Sequence, residues 1–105
     1  MFNKGMGNIY KKAQQMQKKM AEVQEELKST IVEGEAGSGM VKVTVNCKKD
    51  LLSINIDESI FKEDKDMLED LILVATKQAM ANADKKAEDM MKNVTGGMLP
   101  NIPGF

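Results

Sequence analysis

Histidine and arginine are both missing from this chain of 105 residues, cysteine occurs once and proline twice. Without His, the commonest general base and the commonest metal ligand are gone. No other residues form a nucleophile–base constellation, so we expect no enzyme, no metal site, no cofactor and no small-molecule substrate. Without Arg, there is no planar fork for bidentate reading of guanine edges. Cys47 alone cannot close an internal disulfide or a CxxC zinc site, and fits a reducing compartment. Only Phe2, Tyr10, Phe61 and Phe105 are aromatic, which leaves few platforms for stacking single-stranded bases. Long apolar runs are absent too. The longest, Leu71 to Ala75, is far short of a membrane span, and the opening MFNKGMGNIYKK lacks the apolar core of a signal peptide. A soluble, cytoplasmic protein without membrane contact is the expectation.

What the chain has in quantity is helical patterning. Met6, Ile9, Ala13, Met16, Met20, Val23 and Leu27 step by three and four residues, an a/d seam set among Lys, Gln and Glu. The spacing predicts a helix over 7–28, roughly 33 Å long at 1.5 Å per residue. That is longer than a compact globule of this size needs, so the seam expects a helical partner, from this chain or another.

The period then changes to two. Val41, Val43 and Val45 share one face of a strand over 40–46, and Leu52, Ile54 and Ile56 share one face of a strand over 51–57. Gly37-Ser38-Gly39 supplies a turn before the first of these, and 30–36 reads as a preceding strand that Gly34 interrupts. Asp64 is a plausible N-cap for a second helix over 64–95, ended by Gly96-Gly97. The tail, 96–105, is read as irregular and mobile. The fold class is therefore α+β, helix–three-stranded antiparallel meander–helix, in two layers, as a single domain over 1–95. Val41, Val43, Val45, Leu52, Ile54, Ile56, Leu71 and Ile72 are the expected core and dimer residues. A chain so small and rich in helix would be helped by dimerisation.

The charges are polarised along the chain. Lys4, Lys11, Lys12, Lys18 and Lys19 stand in the first twenty residues without a single acid. Residues 21–76 hold six Lys against thirteen acids, and 77–105 hold four against three, so the total is only −1. With Met6 at heptad position a, the five early lysines fall at f and g, opposite the apolar seam. If the two long helices lie antiparallel, the stripe should meet Lys85, Lys86 and Lys92. Two readings stand at this point. Charge alone favours an ordinary solvated helix face, because Lys is the standard surface residue. The lack of acids in the first twenty residues supports a phosphate-binding surface, which would hold phosphate by point charges with little sequence selectivity.

Other features have simpler readings. The many methionines fit gap-filling between helices better than a promiscuous groove. Acid pairs such as Glu69/Asp70 point apart on a helix, and so suit capping and solvation better than a metal site. The glycines at 34, 37 and 39 lie between strands, with no helix following to receive a phosphate.

Five ordered segments give the chain a further character. Gln15-Met-Gln-Lys-Lys-Met20, the run Gly34-Glu-Ala-Gly-Ser-Gly-Met-Val-Lys-Val-Thr-Val-Asn46, Asp57 closing an I-x-I-D strand, Met67-Leu-Glu-Asp-Leu-Ile72 and Thr95-Gly-Gly-Met-Leu-Pro100 resemble the YbaB/EbfC nucleoid-associated proteins of bacteria. The resemblance spans essentially the whole chain. It departs at Cys47, where the family usually has Gly, and at Ser38, where it has the middle Gly. It implies a homodimer joined through the β region, with helical arms held out like tweezers. It also implies low-specificity binding of double-stranded DNA and a role in organising the nucleoid. A coiled-coil-armed, chaperone-like module, or an adaptor for recombination or replication factors, is the alternative.

Overall fold

A computed structural model describes residues 2–62 and 64–95, with side chains from Gly7 to Asn93 within that span. The expected tail, 96–105, lies outside the described residues. The elements are α1 (Phe2–Ser29), β1 (Ile31–Ala36), β2 (Val41–Asn46), β3 (Leu51–Ile56), a 3-10 turn (Glu58–Lys62) and α2 (Lys65–Thr95). The α-β-β-β-α order follows the switches of hydrophobic period. The helix α1 starts at Phe2, five residues ahead of the expected Gly7. Gly5 and Gly7 each weaken a helix by about 1 kcal/mol relative to Ala, which is too little to break it.

The strands form one antiparallel sheet in the order β1-β2-β3. Gly34 faces Val43 across the first pairing, and Val43 faces Ile54 across the second. Val45 faces Leu51 while Thr44 faces Ser53, so Leu52 is the extra residue of a bulge. The meander's turns suit their residues. Gly37, Ser38 and Gly39 all take positive φ between β1 and β2, so Ser38 adopts a backbone that Gly would enter more easily.

The helix α2 crosses one face of the sheet with Ala75, Ala79, Ala83 and Ala87 toward the protein interior, all fully or almost fully buried. This small-residue face lets the helix approach so closely that Gly34 has no room for a side chain. A Cβ there would overlap the Ala75 carbonyl oxygen and the Ala79 amide nitrogen, and would lie 2.8 Å from Ala79 Cα. The same packing buries Val41, Val43 and Val45 completely. Asp64 caps α2, its carboxylate accepting from the Asp66 amide at 3.3 Å and its carbonyl from Leu68 at 3.1 Å.

One helix is about 10–12 Å wide and strands lie about 4.8 Å apart, so α2 covers two strands and not three. It lies over β1 and β2. Leu52 and Ile54 on β3 are therefore 49% and 41% exposed in the protomer, while Ile56, Leu71 and Ile72 are half-buried at the margin. Ile60 in the 3-10 turn is buried in the main core, while its neighbour Phe61 is exposed.

Candidate nucleic-acid interface

Among the described residues, the basic helix α1 is held only at its C-terminal end. Val23 and Leu27 pack with Cys47, Ala87 and Met91, flanked by Met20 and Met90. The Cys47 amide donates to both the Leu27 and the Thr30 carbonyls, each at 3.0 Å, which fastens the end of α1 to the β2–β3 turn. That turn is itself built around buried Asn46. Its side-chain oxygen accepts from the Lys48 and Asp50 amides, and its amide group donates to the Asp50 carboxylate at 2.9 Å. Lys49, at positive φ, reaches across to Asp84 on α2 with an ion pair of 2.6 Å. Cys47 needs no positive φ, so a side chain is tolerated where the resembled family favours Gly. The thiol fills the joint between turn and helices. Burial raises its pKa, and the nearby Lys86 charge pulls it partly back.

Beyond this joint α1 stands clear of the body. Every described side chain from Gly7 to Lys19 is exposed, including Ile9 at 71% and Met16 at 46%. Past Met20, α1 continues for eighteen residues, about 27 Å, whereas α2 continues for four past Met91, about 6 Å. The molecule is accordingly 75 Å long and 20 Å wide. Its radius of gyration is 19.8 Å, against about 13 Å for a compact chain of this length.

This geometry sorts the eight candidate lysines. Lys11 and Lys12 lie on the free arm, exposed and more than two turns from the nearest acid in sequence. Lys18 and Lys19 are also exposed on the arm, with Glu22 one turn away. Lys4 belongs to the first turn of α1, and its side chain lies outside the described residues. The helices overlap only through their last thirds, so the expected meeting of all eight lysines does not occur. Lys85 and Lys86 sit at the base of the arm, Lys86 beside Cys47. Lys92 lies near the end of α2. Lys85 and Lys92 are exposed but have Glu88 and Asp89 at helical spacing between them, which dilutes their field.

Two side chains escaped the sequence reading. Gln78 Oε1 accepts from the Glu35 amide at 2.6 Å, and Asn82 Nδ2 donates to the Glu33 carbonyl at 2.8 Å. Together they occupy the outer edge of β1. No periodicity marks them, because they are polar residues at the rim of an apolar helix face. Among the described residues, no three of His, Cys, Asp or Glu cluster as a metal site would need, and no helix is long and apolar enough to cross a membrane.

The solved structure of uncharacterized protein HP0035 from Helicobacter pylori is similar to this fold. It superposes with a TM-score of 0.71 at 25% identity, covering 81% of this chain and 90% of that one. The sequence profile of the YbaB/EbfC DNA-binding family matches residues 2–98. With nearly its whole length matched and the same helix–meander–helix architecture, the chain belongs to the YbaB/EbfC DNA-binding family.

Proposed function

We propose that this chain is a non-enzymatic, homodimeric architectural protein of the bacterial nucleoid, holding double-stranded DNA by lysine–phosphate contacts with little sequence preference. The observation that carries the reading is the free arm of α1, with four exposed lysines and no acid before Glu22. Lys4 to Lys19 spans about 22 Å of helix, while duplex DNA presents a charge every 1.7 Å or so of its axis, so phosphates are always within reach of the stripe. Lys holds each as a point charge, and the lack of Arg leaves the bases unread. Lys85, Lys86 and Lys92 contribute less, for the reasons of position and neighbouring acid given above.

The dimer uses the uncovered part of the sheet. Gln78 and Asn82 seal the β1 edge, while β3 presents Leu51, Leu52 and Ile54 beyond the reach of α2. A second copy docking there through the β region would bury these residues and hold two basic arms outward.

A gel-shift series with unrelated duplexes of equal length, from about 50 to about 200 mM salt, tests the mechanism: five contacting lysines give log affinity against log salt a slope of roughly −4 to −5. A slope near zero overturns the electrostatic mechanism. Charge reversal at Lys11, Lys12, Lys18 and Lys19 should abolish retardation while the dimer persists. Unchanged DNA binding, with suppression of client aggregation by the wild type, would instead support a holdase.

A further inference from the structure

The seam of α1 is covered at one end and bare at the other. Met20, Val23 and Leu27 pack against α2, while Ile9, Ala13 and Met16 carry the same stripe on into solvent. The helix α2 has a bare stripe of its own. Met67 and Val74 are 42% and 53% exposed, and Leu71 between them is half-buried. The stripe runs on to Gln78, whose bond to the Glu35 amide puts this side of α2 along the outer edge of β1, away from β3. Both stripes are spaced i, i+4, i+7, so each sets three apolar side chains on about 10 Å of helix. They differ in charge. Lys12 and Lys19 border the first, while Asp64, Asp66 and Asp70 border the second together with Lys77, all of them exposed.

We infer that the bare stripe of the arm docks on the Met67–Leu71–Val74 stripe of a second copy of this chain, helix against helix, so that copies join head to tail. Charge selects the partner. Two arms packed antiparallel on each other would set Lys12 and Lys19 of one against the same residues of the other, and like charges across an interface oppose it. The α2 stripe offers the opposite sign. With Ile9 against the partner's Val74, Ala13 against the partner's Leu71 and Met16 against the partner's Met67, the antiparallel register brings Lys12 near the partner's Asp70 and Lys19 near the partner's Asp64. The partner's Lys77 falls beyond both. Small Ala13 also meets large Leu71, as interdigitating helices prefer. Distance requires a second copy. Met67 and Met91 stand about 36 Å apart along α2, and the arm leaves α2 beyond Met91, so it cannot reach its own chain's stripe. The two patches differ, so the contact is heterologous: each copy uses one and leaves the other free, and the assembly stays open. The inference rests neither on DNA binding nor on the dimer through β3.

Sedimentation velocity of the full chain without DNA, from about 10 μM to about 1 mM, tests it. The wild type should grow beyond its smallest species as concentration rises. Ile9→Asp/Met16→Asp and Met67→Asp/Val74→Asp should each weaken that association about tenfold or more, with circular dichroism unchanged because all four side chains are exposed. Mixing the two variants should restore association, since each keeps the half that the other lacks. Asp70→Lys, which removes no apolar contact, should weaken it as well, and mixing with a Lys12→Glu protein should recover it. Assembly that the arm variant abolishes and the α2 variant leaves intact overturns the inference in favour of arm-on-arm pairing. No growth in the wild type, or no recovery on mixing, overturns it outright.

Discussion

Gly34→Ala adds a single methyl group, and the structure leaves nowhere for it to go. The new Cβ meets the Ala75 carbonyl and the Ala79 amide, both part of the hydrogen-bonded backbone of α2, so no rotamer change can relieve it. Relief requires α2 to lift from β1 by roughly 1 Å, and a gap of that size forfeits a quarter to a half of the dispersion well between facing atoms. The affected interface carries the main core, from Ala36 and the three buried valines to Ala75, Ala79 and Ala83. Overpacking of this kind costs about 1–3 kcal/mol and more where only backbone can yield, while removing a flexible Gly from the unfolded chain returns up to about 1 kcal/mol. We expect a net loss of about 2–4 kcal/mol from a total near 5–15, lowering Tm by roughly 10–30 °C. Urea unfolding followed by far-ultraviolet circular dichroism measures it, repeated over a wide range of protein concentration because a dimer couples to stability. Gly39→Ala is the control. Nothing lies closer than 3.7 Å to its Cβ, but its φ of 87° makes the change a matter of backbone strain alone, at about 1–2 kcal/mol. A Gly34→Ala protein within about 0.5 kcal/mol of wild type would refute the close-approach argument.

Three further substitutions or treatments probe the arm and its joint. Gly7→Ala meets open space on the free arm and should raise helix content by circular dichroism, with a local gain of about 1 kcal/mol and little change in global unfolding. Asn46→Ala removes every side-chain hydrogen bond that organises the β2–β3 turn and should destabilise by about 1–3 kcal/mol in urea melts, with faster amide exchange at Cys47. The Cys47 thiol, with its pKa raised mainly by burial, should react with iodoacetamide at about pH 8 far more slowly than a free thiol, and Lys86→Gln should slow it further. The sign for stability follows: the folded state holds this proton more tightly than the unfolded state. Its contribution is therefore full below the ordinary thiol pKa and is lost as pH rises toward the elevated one, a loss visible in urea midpoints measured across alkaline pH.

The fold order was legible because hydrophobic period reports it directly. The Val41-Val43-Val45 alternation became a fully buried strand face, and Asp64 capped α2 as its position before a helical run suggested. Which strand the helix would leave bare was not legible. β2 and β3 carry the same alternation, and only the width of one helix against three strands decides between Val43 and Ile54. Gly34 looked like an interruption of β1 and is instead the contact that lets α2 seat. The alanines at 75, 79 and 83 held that information, but only when read as a face able to approach another backbone. The heptad seam correctly demanded a partner for α1. It could not say that α2 would reach only from Leu27 to Met20, because overlap depends on where the sheet places the two helices.

That partial overlap decides how the charge should be read. A net charge of −1 suggests indifference to polyanions if the charges act together. They do not. Asp66 opens α2 and Met91 lies near its far end, twenty-five residues and about 38 Å apart, with Lys11 and Lys12 farther out along the arm. Screening at physiological ionic strength decays over about 8 Å, so the acids around the start of α2 are several decay lengths from the arm. The field at the arm is set by its own lysines and by Glu22 beside Lys18 and Lys19. Lys11 and Lys12 should therefore dominate attraction to a polyanion, Lys18 and Lys19 should follow, and Lys85 and Lys92, interleaved with Glu88 and Asp89, should add least. An arm that overlapped α2 along its whole length would have brought Glu88 and Asp89 beside those lysines. By ending early, α2 leaves the basic stripe electrically separate from the acidic body to which it is attached.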